Sequence, residues 1–430
     1  MTARKVVFVG PSLPPDERPE AGVEYRPPVR HGDLFRLELR PGDIVLIIDG
    51  VYMQAAPLRH KELLAAMAQG VRVFGAASFG ALRAAELHDY GMVGLGRVTA
   101  EYRAGALSAE ADVAVLHSDD EECRRLTVAM VSVRHGTEAL VRQGRLDSVL
   151  GDELVRIAAS LHYTDRSPSA LRAVAQRSLT PEPMRLLLDY LAGGGDVKQQ
   201  DALEAIRHVS GVPPLAGPPV QPSMRWESSY GMEWALDCTP AVAGSSVTRR
   251  QFLACLQLFA PDYPQRHRAY VHRVAGKSTG REGLAAEEAA AAVLPVAGFG
   301  VAAVARSRFG TPTAATASWA PEDRALVRTF RLPPGRCIYI GVPPEALQGL
   351  SPELAVASCA RLLARAGTAR ASTEQWHTLL RSLWACPTHE EYALGAMERG
   401  FREVGETARL AREFDFTLVR ELTSEGRALV

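Results

Sequence analysis

Three apolar runs, "VVFV", "IVLII" and "VRVF", stand within the first 75 residues, rich in β-branched side chains and interrupted only by Arg72 in the third. A strand with one wet face alternates apolar and polar residues; an unbroken run marks a strand covered on both faces, as in parallel sheets. Between and after them lie "PLRHKELLAAMAQG" and "FGALRAAELHDYG", whose apolar residues recur at helical spacing. The pattern predicts an α/β core with a mostly parallel sheet. From about residue 124 the periodicity turns helical, and "SGVPPLAGPPVQPS" at 210–223 reads as a Pro/Gly-rich linker. Beyond it the chain is mainly helical, with one strand-like run, "RCIYIGV". The expected organisation is a core at 1–145, a helical extension at 146–209, the linker, and a mainly α region of unassigned role at 224–430.

A length of 430 residues exceeds one ordinary hydrophobic core, which agrees with that division. Lys plus Arg and Asp plus Glu number 49 each, so no global field draws the chain to nucleic acid or anionic membrane. The opening "MTARKVVFVGPSLPPDE" holds an apolar run too short for a signal peptide, and no stretch reaches the ~20 apolar residues that span a bilayer. A cytoplasmic protein is expected. Six scattered cysteines form no C-x-x-C pair, and the histidines lack metal-binding spacing, so neither a metal nor a cofactor is expected. "VHRVAGKSTG" ends like a phosphate-binding loop but has Val271 where the first glycine belongs. The basic, aromatic stretch 244–280 reads either as a patch for an acidic partner or as a solvated helix face.

The chemistry is therefore sought at the ends of the strands, where open parallel sheets bind ligands. Ser78 separates "VRVFGAA" from the helix "FGALRAAEL", so the amides of Phe79 and Gly80 should stand unpaired at the helix start. Such amides cap on a serine or hold an oxyanion, and Ser78 reads as either N-cap or nucleophile. Gly10 and Ser12 after the first run, with Asp49 and Gly50 after the second, belong to the same rim. Lys61 opens the helix preceding the serine's strand and is a candidate base, provided burial lowers its pKa. Arg83, one turn into the serine's helix, is a candidate cation for an anionic substrate or else a solvated residue.

The segments "VFVGPSL", "YRPPVRHGDLFRL", "IVLIIDGVYM", "HKELLAAM", "VFGAASFGALRAAEL", "YGMVGLGRV" and "AVLH" resemble, in order and spacing, the TfuA family over roughly residues 5–140. The resemblance implies work alongside a YcaO enzyme in backbone thioamidation during ribosomal peptide biosynthesis. It implies a hydrolase that releases sulfide from the thiocarboxylated C-terminus of a ubiquitin-like, ThiS-like sulfur carrier and helps YcaO hold a precursor peptide. The family's Ser-Lys pair carries over to Ser78 and Lys61. Many relatives read Gly-Ala-Ser-Ser-Met-Gly where this chain has Ala77 and Phe79 at the first serine and the methionine. The alternative is a non-catalytic adaptor docking YcaO or the precursor, with Ser78 only a cap.

Overall fold

A computed structural model of the chain describes residues 3–51, 55–118, 120, 123–213, 229–280, 285–294, 300–330, 342–364 and 370–430. The three apolar runs form β1 (Lys5–Phe8), β3 (Ile44–Ile47) and β4 (Arg72–Ala76), joined at the edges by β2 (Glu24–Arg26) and β5 (Val93–Leu95). All neighbours are parallel, in the order β2-β1-β3-β4-β5. Val6 pairs with Val45 and Val45 with Val73, so the centre of the sheet is almost wholly apolar. The edge strands are three residues long with polar or exposed positions, and for that reason do not read as strands in the sequence.

Helices α1 (Asp33–Arg36), α2 (His60–Ala68), α3 (Phe79–Glu86) and α4 (Gly96–Arg103) alternate with the strands. Leu63 and Met67 of α2, with Ala84 of α3, cover Val6, Val45, Ile47 and Val73 on one face. Helices α5 (Met130–Arg142), α6 (Ser148–Ala159), α7 (Pro168–Ala175) and α8 (Pro181–Tyr190) pack around Leu140, Leu154, Leu171 and Leu187. Then α9 (Val197–Gly211) returns to the sheet, and its Ala202, Ala205, Ile206 and Val209 cover Val7, Leu46, Ile48 and Phe74 on the opposite face. Each of these larger apolar side chains, fully buried, contributes about 1.5–3 kcal/mol before chain entropy is counted. Continuous apolar strands need both coverings; α2, α3 and α9 supply them.

The direction of α9 follows from its ends. Lys5 Nζ donates to the carbonyl of Ser210 and Arg72 to that of Pro213, so the helix finishes at the N-terminal edge of the sheet. Its first residues, Val197 and Lys198, therefore lie at the C-terminal edge.

The chain divides into two units, Met1–Glu227 and Ser228–Val430. Most of the expected linker, 214–223, lies outside the described residues, and its first two residues close α9. The second unit is helical in its described residues, around Phe252, Tyr263, Trp376, Tyr392 and Phe401. Apart from Val342, "RCIYIGV" lies outside the described residues. The basic stretch 244–280 is an internal scaffold: Arg266 pairs with Asp262, Arg268 with Asp323 and Arg273 with Glu345, while Phe252, Phe259, Tyr263 and Tyr270 are buried. Four of its cations, Arg250, Arg266, Arg268 and Arg273, are thus paired with carboxylates of the same unit. Among the described residues no helix is long and apolar enough to cross a membrane.

Candidate active site

In the order β2-β1-β3-β4-β5 the chain leaves β1 in opposite directions toward β2 and β3, which opens a crevice beyond the carboxyl ends of β1 and β3. Asp49 fills the floor of that crevice. Its Oδ2 accepts the amides of Gly10 at 2.9 Å and Ser12 at 3.0 Å, and its Oδ1 accepts the Ser12 hydroxyl at 2.7 Å. The sequence reading offers Gly10 and Ser12 as substrate contacts; instead their donors are spent on a carboxylate of the same chain. Asp49 and Gly50 themselves line the cleft.

Ser78 sits at the next strand end, 7% exposed. The chain reaches it through Ala77 at φ +64°, and the Ser78 amide donates to Ala76 O at 2.7 Å, closing a three-residue turn rare for a residue with a Cβ. Such backbone costs about 1–3 kcal/mol and persists where surrounding packing enforces it; Ala77 is fully buried beneath α9's face of the sheet. Ser78 occupies the N-cap position of α3, but its hydroxyl bonds no helix amide. Its carbonyl takes the first helical bond, from Ala81 at 2.9 Å. The hydroxyl is thus left to the cleft, and the choice between cap and free hydroxyl falls to the second.

The amide of Phe79 has no acceptor among the described residues, as an oxyanion donor requires. The amide of Gly80 does not fit that role: it donates to Ile48 O at 3.1 Å. Gly80 is needed for another reason, since a Cβ there would collide with the carbonyl of Ile47, and one at Gly75 with that of Gly80. These two glycines let α3 lie directly on β3 and β4. At Gly50 a Cβ would come within 2.6 Å of the Phe79 ring, so the ring packs closely against that backbone.

Arg83 is neither solvated nor on the cleft wall. Its side chain is 7% exposed, pairs with Glu86 and, at 3.6 Å, with Glu110, and stands 4.5 Å from the centre of the Phe79 ring. It stands against Phe79 and is paired with two carboxylates. Lys61 is half-buried in the first turn of α2; it does not line the cleft and makes no hydrogen bond to Ser78.

The opposite wall comes from residues that periodicity does not reveal. Val113–His117 (113–117) run beside Glu110 and Tyr163 and close, with Pro11, Ser78, Phe79 and Leu82, a cleft of about 790 Å³ counted to its open mouth. The wall is held by a short antiparallel ladder: Leu126 N donates to Leu116 O at 2.8 Å, Ser118 N to Arg124 O at 2.9 Å, and the Thr127 hydroxyl accepts Leu116 N at 2.7 Å. His117 projects from this ladder, its Nδ1 2.8 Å from the carbonyl of Ser118.

Behind the same wall lies Lys198, 1% exposed, its Nζ donating to Val113 O at 2.7 Å. Burial pushes its pKa down, against the pull of Asp49 and Asp196. A lone lysine in the first turn of an amphipathic helix carries no sequence signal of burial; only the orientation of α9 reveals it.

The protein-family model described as "TfuA-like protein" matches residues 49–167, which contain Asp49, Ser78, His117 and Tyr163. No curated protein matches the chain.

Proposed function

We propose that the chain, whose residues 49–167 match the TfuA-like family model, serves peptide backbone thioamidation with a YcaO enzyme by hydrolysing a protein thiocarboxylate at Ser78. The observation that carries the reading is the Ser78 hydroxyl, unbonded among the described residues and held on a strained turn at a helix start, in a cleft at the switch point of a parallel sheet.

The substrate is the thiocarboxylated C-terminal tail of a ubiquitin-like sulfur carrier, bound in the cleft between Phe79 and the 113–117 wall. Ser78 Oγ attacks the thiocarboxylate carbon. Its proton passes to a base, the Phe79 amide donates to the oxygen that gains charge, and the C–S bond breaks. Sulfur leaves as hydrosulfide carrying the proton released by the serine, and an acyl-serine ester remains. Water then attacks the ester, giving a carboxylate, the free serine and one proton. The YcaO enzyme activates the peptide amide and takes up the sulfide, while this chain also helps hold the precursor peptide.

Purified chain mixed with a thiocarboxylated ubiquitin-like carrier tests this directly. Sulfide release well above the buffer rate, abolished by Ser78→Ala, is expected; release no faster than in buffer leaves the non-catalytic adaptor.

A further inference from the structure

Resting on the hydrolase reading of Ser78, we infer that the substrate's C-terminal tail binds as an added β-strand on the free edge of the cleft wall, paired with the main chain of Val115 and His117.

The two edges of that wall have different fates. In an antiparallel ladder the amide and carbonyl of one residue point to the partner strand, and those of the next residue point away from it. Leu116 turns both its main-chain groups to the second strand: its carbonyl accepts the Leu126 amide, and its amide donates to the Thr127 hydroxyl. The Ser118 amide turns the same way, to the Arg124 carbonyl. His117 lies between them, opposite Arg125, so its amide and carbonyl point away from the second strand. Those of Val115, on the other side of Leu116, do likewise. None of these four groups has a partner among the described residues.

The free edge is the one that meets the cleft. Residues 113–117 line the cleft and 124–127 do not, whereas Arg124 and Arg125 line a second cavity with Pro14, Asp16 and Gln199. The ladder therefore stands between two cavities, with its open edge toward the one that holds Ser78.

Main-chain groups left open on a strand edge are a template for another extended chain. The occupant is the substrate's own terminus, because the reacting carbon must reach Ser78 on the same cleft. Side chains offer that tail few polar contacts. Asp49 is spent on Gly10 and Ser12, Glu110 is paired with Arg83, and no lysine or arginine among the described residues lines the cleft. Much of the remaining lining is apolar, from Val51, Phe79, Leu82 and Val113. Recognition therefore rests on the backbone of an uncharged tail. An added strand turns every second amide to its template, so binding depends on alternate amides of the tail.

The test leaves the full-length chain unaltered and changes the substrate. Peptide thioacids with an uncharged tail, each N-methylated at one of several successive amides, are compared by kcat/KM for sulfide release, beside a thiocarboxylated ubiquitin-like carrier. Each methyl group removes one donor. A loss of about tenfold or more is expected at every second position, and of less than about threefold at the positions between. For unmethylated thioacids kcat/KM should rise as residues are added until the tail spans both Val115 and His117, and then level off. Equal sensitivity at consecutive positions, or none at any, overturns the added strand, while sulfide release from the unmethylated peptide keeps the hydrolase reading. A kcat/KM independent of tail length overturns it in the same way. No release from either unmethylated substrate, or undiminished release by Ser78→Ala, overturns the hydrolase reading and the added strand with it.

Discussion

Asp49 grips Ser12 twice, through the backbone amide at 3.0 Å and through the hydroxyl at 2.7 Å, and so ties the loop after β1 to the end of β3. The bond to Gly10 completes a bracket across the floor of the cleft.

Removing that bracket should be expensive. Asp49→Ala strands three buried donors, each costing about 1–3 kcal/mol unsatisfied, so a loss of at least ~3 kcal/mol is expected by urea denaturation. Ser12→Ala removes one donor together with its own partner bond and should lose only about 1 kcal/mol. Equal losses for the two variants would show that the carboxylate does not organise the floor.

Gly80→Ala should fail outright, because the new methyl would run into the carbonyl of Ile47 and push α3 off the sheet. Gly193→Ala, at a negative φ with open space around its Cβ, should stay within about 0.5 kcal/mol of wild type. Comparing soluble yield and melting temperature separates a packing requirement from a general intolerance of glycine replacement.

Glu62, buried in α2, accepts from His31 Nδ1 at 2.6 Å and from Gly32 N at 2.7 Å, yet burial outweighs these bonds and raises its pKa. A folded pKa above the unfolded one means stability that is full below about pH 4.5 and declines as pH rises through the folded value. Glu62→Gln removes that decline. Its stability relative to wild type should therefore increase between pH 4 and 7, and a difference flat over that range would refute the assignment.

Lys198 has the opposite sign of linkage. Its pKa is lowered by burial, so the unfolded chain binds the extra proton and stability rises as pH climbs from the folded pKa toward ~10.4. Lys198→Met should abolish that slope in denaturation series run between pH 8 and 10. A slope unchanged in the variant would place its origin at another group.

The sheet was legible because burial on both faces leaves an unbroken apolar run, and β1, β3 and β4 each carry one. β2 and β5 were not, since edge strands of three residues keep polar or exposed positions. Ser78 could be found because a strand-to-helix junction has a local signature. The fate of each amide around it has none: whether Gly80 N meets Ile48 O depends on how closely α3 settles on β3. The cleft's far wall was illegible for the same reason, since Glu110, His117 and Tyr163 come from short loops and single turns whose placement is set by tertiary contacts. Lys61 opens α2, as its place in the sequence suggests, but it is not among the residues that line the cleft.

The return of α9 to the sheet separates two borders that are easily equated. The family match ends at residue 167, thirty residues before α9 starts at Val197, and begins at Asp49, after β1, β2 and β3 are complete. A fragment cut at the matched limits would keep the serine, the histidine and most of the cleft wall. It would lose three of the five strands and the cover over Phe74 and Ala76, leaving an open sheet edge and a bare apolar surface. Recognition at the level of sequence and autonomy as a folding unit thus have different extents in this chain, and expression of the reactive part alone calls for residues from the N-terminus through Gly211.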